Sequence, residues 1–482
     1  MVSFTNHHLP QQNSTQLAHE VLQKYFGYSS FREGQLEIIT SILNGRDTLA
    51  IRSTGSGKSI CFQVPALSLP HLTLVISPLI SLMSDQVFAL RQKNIPAAFL
   101  NSTLTSEEME KIYLQLKQQR LKMLYLSPEK LQTAECQRVL KSVQISFVAV
   151  DEAHCVSMWG HDFRPSYTQI AKVLQIFSVR PIVAAFTATA TPLIAEDISC
   201  SLKLQTPVIF KQSALRHNLQ LIIFSCQLLT QKQLCILKIL LNHSGQSGII
   251  YCVTRKATEE LAALLNQLNF NHRLSTASIM AYHGGMESSE RQSVQDQFIA
   301  NRVKIIVATN AFGMGVDKSN IRFVIHYQLP ANIENYYQEV GRAGRDGQLS
   351  KCYLLYYQPD ILIQSHMIGQ ASPEQLDIEQ TKFRQFLVLL NSPRCLQYSL
   401  ADYFGEKTKK ACKLCSHCQT IALTFSNEER WRWQCLHQQP FFAQLPIHLK
   451  LLLTLLSPIS SSDWQRIPGV GVGIMKTLHL QQ

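Results

Sequence analysis

Two adjacent carboxylates, Asp151 and Glu152, follow a short apolar run that ends at Val150. In an open α/β sheet, ligands bind beyond the carboxyl ends of the strands, so both side chains are expected to face a nucleotide pocket. One carboxylate can hold Mg²⁺, and the other can position or deprotonate a water molecule. An isolated Asp-Glu pair is more often a solvated turn, so this interpretation depends on the rest of the chain.

The residues after the carboxylates combine flat rings with a cation. In order they are Trp159, His161, Phe163, Arg164 and Tyr167. Rings stack on bases and a cation attracts the backbone, so this composition is typical of a loop that contacts a nucleic-acid strand. We therefore expect the chemistry and the sensing of a strand to share one loop.

A second stretch has the composition of a phosphate-binding loop. A predicted strand at 47–51 and a predicted helix through Phe62 enclose Ser53, Thr54, Gly55, Ser56, Gly57, Lys58 and Ser59. Glycines let backbone amides wrap a phosphate, Lys58 offers a positive charge to the outer phosphates, and Ser59 can ligate Mg²⁺. The strict motif has glycine at position 52, where this chain has Arg52. A structural glycine turn is the alternative, but the strand-loop-helix context favours a nucleotide site.

A short glycine-bounded segment upstream, 27–35, contains a ring, a guanidinium and an amide at Tyr28, Arg32 and Gln35. An amide can satisfy both hydrogen-bonding edges of adenine, and an aromatic or arginine face can stack on the ring. A helix–loop–helix connection would explain the composition equally well. Adenine binding and a plain connection both stay open at this point.

Apolar runs recur through the first half of the chain, and each is followed by a polar loop. They lie at 72–76, 123–126 and 182–186, with helical stretches between them. This alternation predicts a mainly parallel, doubly wound sheet whose loops emerge on one edge. Hydroxyl and amide side chains there could contact a phosphodiester backbone, although they are also ordinary turn residues. The candidates are Ser77, Ser81, Asn101, Ser102 and Ser127, while Thr187 and Thr189 are expected to couple the two sites.

A second α/β series follows residues 206–225, which show no clean period and are expected to form a linker. Its predicted strands lie at 248–253, 279–282 and 303–308, and the last is followed by Thr309, another candidate for strand contact or coupling. This half has no phosphate-loop glycines of its own. It would therefore have to act on a nucleotide held by the first half.

Arg342 and Arg345 lie three residues apart in the second half, with small residues between them. This spacing can place both guanidinium groups on one helical face. An arginine delivered across a domain cleft neutralises charge on the transferred phosphoryl group and can accelerate hydrolysis by ~10³–10⁵. A solvated basic helix start is the alternative, and the sequence does not decide which arginine would act.

Three cysteines, Cys412, Cys415 and Cys418, form two successive C-x-x-C steps. Thiolates at this spacing suit tetrahedral Zn²⁺ in a closed, structural site. His417 is a weaker competitor, because its adjacency to Cys418 makes simultaneous coordination awkward. The other cysteines are scattered, which favours a reducing compartment with one metal site over a disulfide framework.

Composition limits the class of protein further. The 482 residues suffice for two or three domains, and a net charge of +12 with a pI near 9.1 favours a polyanionic partner. The first residues lack the apolar core of a signal peptide, and the apolar run 449–456 is far shorter than a bilayer span. We therefore expect a soluble cytoplasmic protein, associated with a bacterial nucleoid and without a membrane partner.

Taken together, these motifs resemble those of the RecQ family of DNA helicases, from about residue 16 to 420. The matching segments are 26–28, 31–32, 34–35, 54–59, 77–83, 151–154, 155–165, 311–318 and 338–347. The most family-specific segment is 155–165, which reads Cys-Val-Ser-Met-Trp-Gly-His-Asp-Phe-Arg-Pro. The resemblance implies an α/β fold with two RecA-like doubly wound parallel-sheet domains, followed by a small helical zinc-binding subdomain.

The resemblance also implies an activity and roles for individual residues. The expected activity is ATP-driven 3′→5′ translocation on single-stranded DNA with unwinding of a forked or tailed duplex, in DNA repair or recombination. Asp151 would ligate Mg²⁺ with Ser59, Glu152 would prepare the attacking water, and His154 with the aromatic loop would couple hydrolysis to DNA. Tyr28, Arg32 and Gln35 would hold adenine, and Lys58 would hold the phosphates. Cys395 would be the fourth zinc ligand. Either Arg342 or Arg345 would be the arginine finger.

The expected domains are 1–208 and 209–348 for the RecA-like pair, 349–424 for the zinc subdomain, and 425–482 for a short C-terminal module. Long family members carry a winged-helix domain and a helical DNA-binding domain there, and at most one reduced module fits. Residues 467–474 resemble the glycine hairpin of small helical DNA-binding units, although a simple Pro/Gly turn would serve as well. Ser56 and Glu33 also depart from the family, which usually has glycine and proline.

Two other functions remain open from the sequence. An RNA-directed motor shares the Asp-Glu-Ala-His segment, although the aromatic loop and the cysteine cluster favour DNA. A DNA-stimulated ATPase that binds or anneals strands with little unwinding fits the short C-terminal module. The intact Lys58, Asp151 and Glu152 argue against a loss of ATP hydrolysis, but they say little about unwinding.

Overall fold

The computed structural model describes residues 11–53, 55–160, 162–269, 272, 274–313, 318–407, 411–456, 458, 461–468 and 470. The chain divides into two units, residues 1–214 with 401–408 and residues 215–400 with 409–482. Each unit contains one β-sheet, and every strand pairing in both sheets is parallel. The predicted fold class is thereby confirmed.

The sheet of the first unit has seven strands in the order β3-β4-β2-β5-β6-β1-β7. Its central strands are continuous apolar runs that are buried along their length, as expected when helices cover both faces. Parallel pairing places the loops after these strands on one edge. The strands are β1 Thr48–Ile51, β2 Leu72–Ile76, β3 Ala97–Leu100, β4 Met123–Leu126, β5 Ile145–Val150, β6 Ile182–Thr187 and β7 Val208–Lys211.

Helices of the first unit cover both faces of its sheet, so a separate apolar core lies on each face. A π-helical turn, Leu22–Phe26, continues the first helix, and a 3₁₀ turn, Ala153–Val156, follows β5. The helices are α1 Gln11–Val21, α2 Gln35–Leu43, α3 Lys58–Ser68, α4 Ile80–Gln92, α5 Ser106–Lys117, α6 Pro128–Leu131, α7 Ala134–Lys141, α8 Pro165–Thr168, α9 Ile170–Leu174 and α10 Pro192–Ser201.

The sheet of the second unit has six strands in the order β10-β11-β9-β12-β13-β8. These strands are β8 Leu219–Cys226, β9 Ser247–Tyr251, β10 Ile279–Tyr282, β11 Ile305–Ala308, β12 Ile321–His326 and β13 Ser350–Tyr357. The helices that follow β8 are α11 Leu229–Asn242, α12 Arg255–Gln267, α13 Ser288–Ile299, α14 Ile333–Val340, α15 Pro359–Ile368, α16 Pro373–Asn391, α17 Leu396–Tyr403, α18 Asn427–His437, α19 Pro440–Gln444, α20 Ile447–Leu456 and α21 Ser461–Gln465.

The C-terminal helices share a core with the second sheet. Leu449 and Leu453 of α20 belong to the same apolar cluster as Ile236 and Leu240 of α11. The ammonium of Lys238 on α11 donates to Glu429 on α18, and both side chains are buried. Residues 427–456 are therefore packed onto this unit, and the boundaries expected for the four domains stay predictions.

One expectation from the sequence was wrong. Residues 206–225, expected to be a linker, contain β7 and β8, the outermost strands on one side of each sheet. Both strands are only partly buried and carry polar residues, because an edge strand has a neighbour on one side only. The apolar period that marks the central strands is therefore missing.

Some expected features lie outside the described residues. They include Thr54, His161 and most of the proposed glycine hairpin at 467–474. In the part of the chain that the structure describes, no helix combines the length and apolar character needed to cross a membrane.

Candidate functional site

The phosphate-binding segment connects β1 to α3, and its backbone has the conformation that such a loop requires. Gly55 and Gly57 have φ angles of 81° and 79°, a region that residues with side chains rarely adopt. Gly57 is the N-cap of α3, which begins at Lys58, so the loop leads directly into a helix N-terminus. Lys58 Nζ donates to the carbonyl of Arg52 at 3.3 Å. The predicted strand-loop-helix arrangement is thus present.

Arg32 and Gln35, predicted to hold adenine, contact the phosphate loop itself. Arg32 Nη1 donates to the carbonyl of Gly55 at 2.8 Å, and Gln35 Nε2 donates to the carbonyl of Gly57 at 3.0 Å. Gln35 Oε1 accepts from the backbone N–H of Arg32 at 2.8 Å. Tyr28 lies outside this network and is 57% exposed. Segment 27–35 and the phosphate loop are therefore joined by hydrogen bonds.

Arg52, the departure from the strict motif, joins the two segments. It is 4% exposed, and its Nη2 donates to the carbonyl of Glu33 at 2.8 Å. Its backbone N–H donates to the carbonyl of Thr187 at the end of β6. A Cβ on Gly34 would lie 2.5 Å from Arg52 Nη1, so glycine at 34 makes room for this guanidinium. The sequence alone marks Arg52 only as a departure from the motif, because a contact between distant segments leaves no local pattern.

The two carboxylates stand at the end of β5, as predicted. Burial and then the neighbouring charge of Glu152 raise the pKa of Asp151 to about 7, whereas Lys58 acts in the opposite direction. Glu152 has φ 46° and ψ 47°, a left-handed conformation that costs about 1–3 kcal/mol for a residue with a side chain. The hydroxyl of Tyr167 donates to the carbonyl of Asp151 at 2.9 Å and fixes the turn.

His154 connects the carboxylates to the neighbouring strand. It is 2% exposed, and its Nδ1 lies 3.0 Å from the hydroxyl of Thr187 and 3.4 Å from Glu152 Oε2. The Thr187 hydroxyl also donates to the carbonyl of Thr189 at 3.1 Å. The structure thus brings Glu152, His154, Thr187 and Thr189 into one chain of polar contacts.

The aromatic loop folds back over His154. A Cβ at Gly160 would lie 2.1 Å from the carbonyl oxygen of His154, so only glycine fits at this position. Trp159 is 39% exposed beside it, whereas Phe163 is half-buried. Arg164 pairs with Asp162 at 3.0 Å and donates to the carbonyl of Pro78 at 3.3 Å. Arg164 therefore links the aromatic loop to the loop after β2.

Several buried polar atoms at this edge have no hydrogen-bond partner among the described residues. They are Ser56 Oγ, Ser77 Oγ, Asn101 Nδ2 and Thr189 Oγ1. A buried polar atom without a partner costs about 1–3 kcal/mol, so such a group is expected where a ligand supplies the partner. The donor set fits a nucleotide with Mg²⁺, because Ser59 and Asp151 supply the oxygen ligands that this cation prefers.

The site residues predicted in the second unit differ in exposure. Arg342 is 6% exposed and donates to the carbonyl of Gly313, where a Cβ would lie 2.2 Å from the guanidinium carbon. Arg345 is half-buried. Thr309 follows β11 and is 6% exposed, and its hydroxyl accepts from the N–H of Ala311 at 3.4 Å.

The four cysteines of the predicted zinc site meet. Their sulfur atoms all lie within 4.8 Å of one another, and the shortest separation, between Cys415 and Cys418, is 3.5 Å. Backbone N–H groups of Cys412 and Cys415 donate to neighbouring sulfurs, as expected for thiolate ligands. His417 instead places Nδ1 2.9 Å from the carbonyl of Arg394. The donor set is Cys₄, which fits a structural zinc ion.

Family models match three consecutive parts of the chain: DEAD/DEAH box helicase at 32–197, helicase conserved C-terminal domain at 231–347 and RecQ zinc-binding at 358–419. Fold, phosphate loop and family models together define a helicase-type nucleotide-binding protein with two RecA-like sheets. The ATP-dependent DNA helicase RecQ of Pasteurella multocida is 44% identical over 405 residues, which cover 84% of this chain and 62% of that protein. The chain belongs to the RecQ family.

Two further comparisons bear on nucleic-acid type and fold. A putative ATP-dependent RNA helicase of Acanthamoeba polyphaga mimivirus is 39% identical over 413 residues, which cover 85% of this chain and 73% of that protein. The DUF1998 helicase MrfA, solved bound to DNA, has a TM-score of 0.62 and 17% identity, with 80% of this chain and 57% of that chain covered. That likeness concerns the fold alone. The chain spans between 62% and 66% of the length of the RecQ relatives from Pasteurella multocida, Bacillus subtilis and Haemophilus influenzae.

Proposed function

We propose that this protein is an ATP-dependent DNA helicase that couples ATP hydrolysis to 3′→5′ movement along single-stranded DNA and to unwinding. The observation that carries the proposal is the meeting of the phosphate loop, Asp151 and Glu152 at one sheet edge, where buried polar atoms have no partner among the described residues. Family membership supports the class of activity. A role in DNA repair or recombination in the cytoplasm, at the nucleoid, completes the proposal.

In this proposal the first unit binds the nucleotide. Amides of the phosphate loop and Lys58 hold the phosphates, and Ser59 with Asp151 would hold Mg²⁺, which neutralises phosphate charge when bound. Glu152 orients the attacking water and accepts its proton. Tyr28 and Arg32 contact the base. Because Gln35 Nε2 donates to the loop carbonyls, its binding to adenine would release these bonds and open the loop.

The second unit would supply the positive charge that cleavage needs. Arg342 is buried in its own unit and donates to the carbonyl of Gly313, so it stabilises the loop after β11. Arg345 is less enclosed and is the better candidate for neutralising the phosphoryl group. This choice was open from the sequence, because both arginines share one motif and differ only in burial.

DNA contact is assigned to the loops at the same edge. Trp159 and Phe163 would stack on bases, and His161 and Arg164 would contact the phosphates, with the Ser77 hydroxyl as a further contact. In the second unit, the Thr309 hydroxyl is assigned a separate contact with the strand. Through their contacts, His154 and Thr187 would couple a change in the protonation or position of Glu152 to the position of the aromatic loop. An RNA strand is the second candidate substrate, because a relative named as an RNA helicase is 39% identical.

A strand-displacement assay tests the proposal. The substrates are a 3′-tailed DNA duplex, a 5′-tailed DNA duplex and a tailed RNA duplex, each with ATP and without it. We expect ATP-dependent displacement of the 3′-tailed DNA alone. Displacement of RNA in preference to DNA would move the function to the second candidate, and DNA-stimulated ATP turnover without displacement would leave a strand-binding ATPase.

A further inference from the structure

A cavity of about 340 Å³ lies in the first unit at the edge of the sheet opposite the nucleotide loop. Its walls are the connections that enter β2, β3, β4 and β5, with Tyr25 and Leu67 at one side. Because these strands contain four to six residues of ~3.3 Å rise each, the cavity and the catalytic edge are separated by about 13–20 Å. The cavity is therefore a different site from the one described above.

The cavity and its flanks carry positive charge without any acidic residue. The segments 67–72, 91–97, 116–123 and 141–146 contain no Asp or Glu. Their cations are Arg91, Lys93, Lys117, Arg120, Lys122 and Lys141, in addition to His71. None of these side chains forms an ion pair within the described ranges.

Helix capping accounts for part of this charge. The helices α3, α4, α5 and α7 end at this edge, and each C-terminus carries about −0.5 elementary charge, so cations such as Lys117 and Lys141 in last turns are favourable. Four helix ends supply about −2 against six cations. A positive excess of about +4 remains at one edge.

Lys122 shows that this charge has no carboxylate to balance it. Its ammonium donates to the carbonyls of Leu69, Pro70 and His71, the last two at 3.2 and 3.3 Å. Burial lowers the pKa of Lys122, and no acidic group opposes this shift. The three carbonyls take the three N–H groups of Lys122, so an anion in the cavity would be attracted by its charge and would take hydrogen bonds from other side chains.

The shape of the edge favours a chain of anions. Adjacent strands lie about 4.8 Å apart, so the four connections extend over about 14 Å, the length of about four stacked nucleotides at about 3.4 Å each. Amide side chains at Asn94, Gln119 and Gln144 alternate with the cations, and such amides commonly donate to phosphate oxygens. Arg120 lines the cavity and is exposed.

We propose that this edge is a second nucleic-acid site, which binds the phosphate backbone of a single strand without reading its sequence. The choice of a nucleic-acid strand as the ligand rests on the proposed function. Binding of that strand at the cavity does not require ATP hydrolysis. The site would hold a strand that extends beyond the catalytic edge, or the strand displaced by unwinding.

The test measures binding of a 12-nucleotide and a 40-nucleotide single-stranded DNA by fluorescence anisotropy, between 50 and 300 mM salt. The variant is Lys93→Ala/Arg120→Ala, and the control is Lys111→Ala/Lys172→Ala, which removes two exposed lysines elsewhere in the same unit. Each lost phosphate contact reduces the slope of log K against log salt by about 0.7. We expect a reduction of about 1.4 with the 40-nucleotide strand in the variant, and no reduction in the control.

Three outcomes would overturn the proposal. In the first, the variant keeps the salt slope of the wild type. In the second, the slope of the control falls as much as that of the variant. In the third, a polyglutamate peptide competes as well as DNA, which would make the site one for acidic proteins. DNA-stimulated ATP turnover is recorded in parallel. If it is absent from the wild type, the proposed function fails while the salt slopes still decide the second site.

Discussion

The two units carry the same type of sheet but treat charge at the strand ends in opposite ways. In the second unit, Lys232 is 2.7 Å from Asp360 and His326 is 2.8 Å from Glu339, and all four side chains are largely buried. In the first unit, Lys58 donates only to a backbone carbonyl, and burial beside Glu152 raises the pKa of Asp151 to about 7. At the carboxyl ends of these strands, the second unit therefore pairs Lys232 and His326 with carboxylates of its own, whereas Lys58 and Asp151 of the first unit are placed to interact with a ligand.

This difference shows where stability has been given up for function. A paired buried charge contributes to a fixed structure, but a buried carboxyl with a raised pKa and a left-handed Glu152 both cost free energy. Such costs are expected at sites that bind ligands. The raised pKa of Asp151 and the backbone of Glu152 therefore agree with a nucleotide site at the end of β5.

The cysteine cluster is the exception in the second unit, and zinc removal should have the largest effect. Four cysteine sulfurs lie within 4.8 Å of one another, and without a metal they take up protons and lose the ion that holds them together; structural zinc sites contribute on the order of 10 kcal/mol to folding. Metal analysis should find one zinc per chain, and chelation should unfold the segment around Cys395 and Cys415. Zinc-free protein with an unchanged melting curve would contradict the assignment.

Breaking a buried ion pair in the second unit should have the second-largest effect on stability. Lys232→Met leaves Asp360 buried without its partner and should destabilise the protein by about 3–5 kcal/mol. Chemical denaturation followed by circular dichroism measures this loss. The double change Lys232→Met/Asp360→Leu should recover most of it, and failure to recover would show that packing against Tyr327, 4.3 Å from Lys232 Nζ, matters more than charge.

Removing the unbalanced lysine of the first unit should affect activity and leave the fold intact. Lys58→Ala should lower ATP turnover by about 10²–10³-fold, because one positively charged contact to the phosphates is lost. DNA binding without nucleotide should be unchanged. Lys256→Ala, at a lysine whose side chain is 83% exposed, is the matched control and should turn over ATP like the wild type. Normal turnover by Lys58→Ala would refute the phosphate assignment.

The pH dependence of stability should reveal Asp151 directly. The pKa of this carboxyl is about 7 in the folded protein and about 3.9 in an unfolded chain, so the folded form binds the extra proton between these values. The contribution of the Asp151 carboxyl to the free energy of unfolding is therefore complete below the pKa of the unfolded chain. That contribution is lost as the pH rises through about 7. Without Mg²⁺ and nucleotide, Asp151→Asn should therefore gain stability over the wild type between pH 5 and 7, with no further gain above.

Melting temperatures of both proteins across this range measure the effect. We expect a gain of a few degrees at pH 8 and less at pH 5. A constant difference at all pH values would show that Asp151 is already ionised and balanced by the protein.

The sequence predicted the parts of the site that are local in the chain. Glycines, a lysine and paired carboxylates lie within short segments, so their spacing reports their geometry, as for the loop before α3 and the turn after β5. Long-range partners were not predictable in this way. The contact of Arg52 with Glu33, the use of Gln35 by the phosphate loop and the enclosure of Arg342 all depend on packing between distant segments.

Fold prediction followed the same rule. Buried central strands have continuous apolar runs, which predict them, whereas the partly buried edge strands β7 and β8 have no such run. Leu449 and Leu453 share a core with α11, and no local pattern in the chain predicts a contact between segments so far apart.

The most direct test of the division of labour between the units is the single-turnover rate of ATP cleavage by Arg345→Ala on saturating single-stranded DNA, with nucleotide affinity determined in the same preparation. We expect a rate about 10³-fold or more below the wild type, at an unchanged dissociation constant for ATP. A wild-type rate would contradict the role proposed for Arg345, because cleavage would then not need its guanidinium.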